Sequence, residues 1–331
     1  MVIKDRILTG ITATGQLTIG NYIGAIKNAL NFQENYQLII FVADLHALTL
    51  PIKKEELLKN KKDIFALYLA SGIDPEKAIV FYQSDVIEHS EMNWYCLVNT
   101  TLGELNRMTQ FKEKSQNIKN DNKTNLIPTG LLIYPTLMSA DILLYNPKFI
   151  PVGQDQTQHV ELTRNIANRM NKKYNANLNI PKVVNMEIGS KIMSLVDPSK
   201  KMSKSDINKN SSIFLLDDPE IAYKKIQKSV TDSENKVYFS TDKPGVSNLL
   251  TIYCSLLNIT IEKAEEKFKN ANYKEFKDEV GNVVKEFLID LQKKYHYFIE
   301  KIDIYAEQGR KKAQKIAFET ISTIKKGIGL K

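Results

Sequence analysis

The sequence predicts an α/β protein: a doubly wound, Rossmann-like parallel sheet in residues 1–218, then a mostly helical C-terminal unit in residues 219–331. Three observations carry this expectation. Nearly all-apolar runs at residues 7–11, 37–42, 78–83 and 149–152 suit strands that are covered on both faces. Segments of helical periodicity separate those runs, and that alternation argues for parallel pairing. After Asp218-Pro219 apolar residues fall at spacings of three and four, as in Val280, Val283, Val284, Phe287, Leu288, Leu291, Tyr295 and Phe298.

The first run leads into the small-residue turn Thr12-Ala13-Thr14-Gly15 and then, through Leu17-Thr18-Ile19-Gly20-Asn21, into a helical pattern carrying Tyr22, Ile23, Ile26 and Leu30. Strand, glycine-bearing loop and helix start is an arrangement that binds anions. It matches neither a P-loop nor G-x-G-x-x-G, and a plain βα turn is the alternative. The second run ends at Asp44-Leu45-His46, polar residues where a parallel sheet opens its ligand crevice. Residues 54–71 read as an amphipathic helix closed by Ser71-Gly72, and 78–83 as the third strand. Residues 92–114 read as helical, and the polar, asparagine-rich 116–125 as a surface loop bordered by Lys112 and Lys114.

In residues 130–145, Tyr134, Met138, Asp141 and Tyr145 recur at helical spacing and share a face. An aspartate among apolar residues is paired, exposed or ligand-binding; the options are a salt-bridged aspartate or the floor of a pocket for an apolar ligand with one N–H or O–H donor. The run 149–152 passes through Gly153-Gln154-Asp155-Gln156 into another helix. Ile192-Met193-Ser194-Leu195 then leads to Lys201-Met202-Ser203-Lys204-Ser205, where small hydroxyl residues space two lysines. Ammonium groups so placed need water or anions. The loop suits closure on a polyphosphate, with a solvated lysine turn as the alternative.

The chain has 331 residues, is 43% hydrophobic and 25% charged, and carries 46 Lys+Arg against 38 Asp+Glu for a net charge of +8. This is the composition of a globular protein with a real core, and the positive excess fits nucleic acid or phosphate ligands. Cys96 and Cys254 alone make a disulfide framework or a cysteine-ligated metal site unexpected. The polar start and the lack of an apolar run of 18 residues lead us to expect a soluble, cytoplasmic protein without a membrane span.

Thr18-Ile19-Gly20-Asn21 resembles the first signature of the class I aminoacyl-tRNA synthetases, with threonine and asparagine replacing two histidines. Lys201-Met202-Ser203-Lys204-Ser205 resembles the second without mismatch. Residues 103–114, 130–145, 153–164 and 192–205, with Thr231-Asp232-Ser233 and 243–250, are similar in order and spacing to the bacterial tryptophanyl-tRNA synthetases. The resemblance implies activation of L-tryptophan by ATP with Mg²⁺ carried on the nucleotide, then transfer to the terminal ribose 2′-OH of tRNA(Trp), in a homodimer. It implies a catalytic unit over 1–218, including a connecting helical insertion and the 201–205 loop, and an anticodon-binding helical unit over 219–331. In that unit the basic tail of Arg310, Lys311, Lys312, Lys315, Lys325 and Lys326 lies along phosphates, where a solvated helix face is the alternative.

For the site, the resemblance implies Lys201, Lys204 and Lys114 as catalytic cations. It implies Thr12, Ala13, Thr14, Thr18, Gly20, Asn21, Gly153, Gln154, Asp155, Ile192, Met202, Ser203 and Ser205, with Lys201 and Lys204, around ATP. Leu8, His46, Tyr134, Met138, Asp141, Ile142, Val152 and Gln156 are expected around tryptophan, with Asp141 as a buried carboxylate awaiting the indole N–H; no protein metal cluster is expected. The chain departs from its relatives at Leu8 (usually phenylalanine), Thr12 and Leu45 (usually glutamine). Two other functions fit the same residues: a tyrosyl-tRNA synthetase, and a nucleotidyltransferase or binding module that kept the fold.

Overall fold

The apolar runs become one five-stranded sheet, with β1 at Arg6–Thr12, β2 at Gln37–Ala43, β3 at Ile79–Tyr82, β4 at Phe149–Val152 and β5 at Lys182–Asn185. The computed structural model describes residues 4–119, 127–153, 156–185, 191–204 and 206–331. The strand order is β3-β2-β1-β4-β5 and every pairing is parallel. Side chains alternate across the sheet and build a core on each face. Ile7, Leu38, Ile40, Val42 and Val80 pack on the first face with helices Lys54–Ala70 and Tyr273–Ile299; Leu8, Ile39, Phe41, Ile79 and Phe81 pack on the second with helices Thr129–Leu144, Thr157–Tyr174 and Ile302–Ile328.

The expected α/β class is the observed one; several element boundaries differ. β5 went unread because Val183 and Val184 make too short an apolar run between polar neighbours. The helix expected over 92–114 is three helices, Glu88–Val98, Leu102–Arg107 and Thr109–Lys119. The break falls where Thr101 and Glu104 cap each other reciprocally and start a new helix. The loop expected over 116–125 is helical as far as Lys119, and its remainder lies outside the described residues. The first helix is also composite: Ile19–Asn21, a π-helical turn over Tyr22–Ile26, then Lys27–Asn35.

Beyond 218 the chain forms helices Pro219–Gln227, Pro244–Leu257, Ile261–Phe268, Tyr273–Ile299 and Ile302–Ile328. The last two do not stand apart from the sheet. Tyr295 donates its hydroxyl to Asp63 at 2.9 Å, and the final helix runs along β3, with Ala313, Ala317, Ile321 and Ile324 in the second core. Several of its basic residues are answered within the chain. Arg310 pairs with Glu307 and Gln314, Lys312 donates to the Pro75 carbonyl, and Lys325 meets Glu91. Arg310 is thus answered within its own helix, whereas Lys312 and Lys325 tie the helix to the segment before β3 and to the helix Glu88–Val98.

That docking depends on Gly309, where a Cβ would lie 1.6 Å from the Val80 carbonyl oxygen. We expect Gly309→Ala to push the helix off β3 and to lower unfolding stability by about 3 kcal/mol, the upper end of overpacking costs. Denaturant unfolding of the two proteins checks this.

Candidate active site

β1 pairs with β2 along its whole length but meets β4 at one register position, Ile7 opposite Phe149. Beyond that point the two strands part. Leu8, Thr9, Gly10, Ile11 and Thr12 form one wall, and Ile150, Pro151, Val152 and Gly153 the other, of a crevice of about 580 Å³. It opens at the carboxyl ends of the strands, where the winding of the sheet reverses and open α/β sheets bind ligands. The helix Thr129–Leu144 supplies Tyr134, Met138, Asp141 and Ile142 to the same crevice. His46 and Gln156 also line it, so all eight residues expected around an apolar amino acid meet there.

Asp141 is 2% exposed. Its Oδ1 accepts from Gln83 Nε2 at 2.7 Å and His89 Nδ1 at 2.7 Å, and its Oδ2 from His46 Nε2 at 2.9 Å. His89 Nε2 in turn meets the Tyr145 hydroxyl at 2.8 Å, so a neutral His89 that donates from Nδ1 accepts from tyrosine on Nε2. Burial raises the Asp141 pKa, but the hydrogen bonds from His46 and His89 outweigh it and hold the carboxyl below its ordinary value. This corrects the expectation of a carboxylate awaiting a donor: three donors hold it already. A carboxylate has about four acceptor positions, so one remains, on Oδ2. Gln83 and His89 were not read as parts of the site, and Tyr145 was read on the face of Asp141 without a role for its hydroxyl. Gln83 follows β3 as His46 follows β2, a position that points to the crevice; nothing local marks His89.

Tyr134 donates its hydroxyl to Gln110 Oε1 at 3.0 Å and meets His159 Nε2 at 2.9 Å. Lys114 Nζ lies 5.0 Å from the centre of the Tyr134 ring, and partial burial lowers its pKa. Lys114, Lys201 and Lys204 all line the crevice, with Asn21, Thr12, Thr14 and Gly153. Lys204 has no hydrogen-bond or ion-pair partner among the described residues, and burial pushes its pKa down to about 8.

The other expected nucleotide contacts sit behind this surface. Thr18 is buried and caps the first helix: its backbone N–H and hydroxyl both donate to Asn21 Oδ1, at 2.9 and 3.1 Å. That leaves the Asn21 amide nitrogen, rather than Thr18, to face the crevice. Ala13, Ile192 and Met202 belong to the first core. Gly20 lies against two of them, since a Cβ there would be 3.4 Å from Ile192 Cβ and 3.8 Å from Met202 Cβ. The Ser203 carbonyl accepts the Ser212 hydroxyl at 3.0 Å. Gln154, Asp155 and Ser205 lie outside the described residues. Among the described residues no group of three or more His, Cys, Asp or Glu is placed to hold a metal ion. The crevice therefore combines apolar side chains and one anchored carboxylate with three ammonium groups, a pairing suited to a flat N–H-bearing ring and a polyphosphate.

A family model described as class I tRNA synthetases (W and Y) matches residues 4–289. The chain is 56% identical over 328 residues to the tryptophan--tRNA ligase of Mycoplasmopsis pulmonis, covering 99% of each. The solved tryptophanyl-tRNA synthetase of Mycoplasma pneumoniae matches with a TM-score of 0.90 at 41% identity, covering 99% of both chains. That of Campylobacter jejuni, complexed with ADP and tryptophan, matches with a TM-score of 0.82 at 31% identity, covering 98% of this chain and 99% of that one.

Because the folded pKa of Asp141 is depressed, its contribution to stability is complete above the ordinary aspartate value of about 3.9. It is lost as pH falls through the lowered folded value. Unfolding free energies measured between about pH 5 and pH 3 should fall more steeply for the native chain than for Asp141→Asn.

Proposed function

Because the chain belongs to the class I tRNA synthetases (W and Y), we propose that its crevice joins L-tryptophan to tRNA(Trp) in two steps. The observation that carries this reading is that one cavity is lined by Asp141 and by Lys114, Lys201 and Lys204. The indole N–H takes the remaining acceptor position on Asp141 Oδ2, and Met138, Ile142 and Val152 pack the ring. Tyr134 and Gln156 face the ammonium of the amino acid. ATP lies across the carboxyl ends of β1 and β4, with Asn21 on its phosphates and Gly153 beside its ribose. Gly20 packs close to Ile192 and Met202, and the base lies beside the backbone of these two residues.

In the first step a tryptophan carboxylate oxygen bonds to the α-phosphorus as the bond from α-phosphorus to the β-bridging oxygen breaks. The products are tryptophanyl-adenylate and pyrophosphate. Negative charge grows on the departing oxygens, so catalysis comes from orientation and from cations already in place. Lys201 and Lys204 hold the leaving group and Lys114 answers it from the opposite wall. Mg²⁺ carried by the nucleotide would add positive charge to that of the lysines. In the second step the terminal ribose 2′-OH attacks the activated carbonyl and AMP leaves. No covalent link to the protein forms.

The anchored carboxylate tempers selectivity. Phenylalanine in this pocket forgoes one hydrogen bond to a charged acceptor that already has three partners, a loss of about 1.5–3 kcal/mol, or roughly ten- to a hundredfold. Ring shape accounts for the rest of the discrimination. We further propose a cytoplasmic homodimer. Ile87, Trp94 and Val98 lie exposed on one face at the helix Glu88–Val98, and Leu102 lies exposed just beyond it; a second copy would cover this patch. The division at 218–219 into catalytic and anticodon-binding units belongs to the same proposal, as does the tRNA surface. No single helix among the described residues is long and apolar enough to cross a membrane.

ATP–pyrophosphate exchange tests the reading: tryptophan should stimulate it, and stimulation by tyrosine alone would overturn it in favour of the tyrosyl alternative. Lys204→Ala should lower kcat about 10²–10³-fold while the Kd for tryptophan, from equilibrium dialysis, stays within about twofold. Since Lys204 must be protonated to hold phosphate, kcat/KM for ATP should decline as pH rises past about 8. Asp141→Ala should cut the preference for tryptophan over phenylalanine about ten- to a hundredfold in the same exchange assay.

A further inference from the structure

The lysine loop is rooted in a two-stranded turn. Met193 and Lys201 pair antiparallel, with Ser194 N–H donating to the Lys200 carbonyl at 2.8 Å and Met202 N–H to the Ile192 carbonyl at 2.9 Å. In that pattern the residues on either side of Met193 bond across to the lysine strand, and the N–H and C=O of Met193 itself point the other way. One side chain answers both. Asn248 Oδ1 accepts the Met193 N–H at 2.8 Å, and Asn248 Nδ2 donates to the Met193 carbonyl at 2.9 Å. Asn248 is buried and sits on the helix Pro244–Leu257, beyond residue 218. Its amide completes the open side of the turn as a third strand would, with one donor and one acceptor in the spacing of a peptide unit.

We infer that Asn248 is a positioning residue for the adenylation step: through Met193 it fixes the root of the lysine loop, and with it the reach of Lys201 and Lys204 into the crevice. The inference rests on the reading of the crevice as an adenylate-forming site. No other residue type does this equally well from the same helix position. Aspartate accepts but cannot donate and sets a charge against a carbonyl; leucine keeps the shape and leaves two buried backbone groups unpaired. A small misplacement of charged groups is enough to slow a reaction that depends on orientation.

The test uses the full chain, with tryptophan, ATP and labelled pyrophosphate. Asn248→Leu should lower kcat for exchange at least tenfold and raise KM for ATP, while the tryptophan Kd from equilibrium dialysis without ATP stays within about twofold. Asn248→Asp, keeping one of the two bonds, should fall between native and Leu. Native kinetics in a folded Asn248→Leu variant overturn the proposal, and so does an equal loss of tryptophan and ATP affinity, the mark of a general structural defect. If neither variant folds, hydrogen exchange on the native chain decides. The Met193 amide should be protected together with the helix that carries Asn248, and rapid exchange of Met193 while that helix stays protected overturns the proposal. Absence of tryptophan-dependent exchange in the native chain would instead defeat the function on which the inference rests.

Discussion

The site exists because two neighbouring parallel strands stay together for one residue pair and then separate. β1 is paired with β2 from Arg6 to Thr12, but its partnership with β4 ends at Ile7 and Phe149. Beyond Ile7 the backbone groups of β1 that face β4, which belong to alternate residues, are thereby released from the ladder. Such groups are obligatory hydrogen-bonding partners and must be answered by water or by a ligand. A continuous sheet would have been the more fully paired structure. The opening provides a rigid, polar-edged slot that no flexible loop could hold as steadily.

Within the slot, charge is handled in two opposite ways. The Asp141 carboxylate is held by Gln83, His46 and His89, with Tyr145 behind His89. It is a fixed acceptor, already neutralised in hydrogen-bonding terms and unable to turn. Lys204, by contrast, has no such partner among the described residues, and its lowered pKa reflects burial without compensation. A group in that state gains most from an arriving polyanion. One group recognises and the other responds to charge, which matches a reaction whose first partner is nearly neutral in its ring and whose second is strongly anionic.

Much of this was legible in the sequence because it is local. The apolar runs identify four strands, helical spacing alone puts Tyr134, Met138 and Asp141 on one face, and the loop lysines declare themselves by composition. Other features were locally encoded but overlooked: Thr101 and Glu104 spell out a helix start in the middle of what read as a single helix. The rest was not local. His89 and Asp141 are 52 positions apart, and only the packing of helix Glu88–Val98 on helix Thr129–Leu144 brings them together. The same holds for Asn248 and Met193, 55 positions apart. Thr18 shows the opposite failure: its motif was recognised, but its hydroxyl serves the helix cap and the crevice is left to Asn21.

The return of the final helix to β3 has a bearing on biosynthesis. Gln308 meets Glu76 across 232 positions and Lys312 meets Pro75 across 237, so the outer edge of the sheet is finished by a segment synthesised long after it. A nascent chain can lay down β1 to β3 early, yet their second face lacks Ala313, Ala317, Ile321 and Ile324 until the helix Ile302–Ile328 is made. Chains with such distant closures fold slowly and are open to aggregation in the interval. Loss of the helix Ile302–Ile328 therefore endangers the strands that are made first.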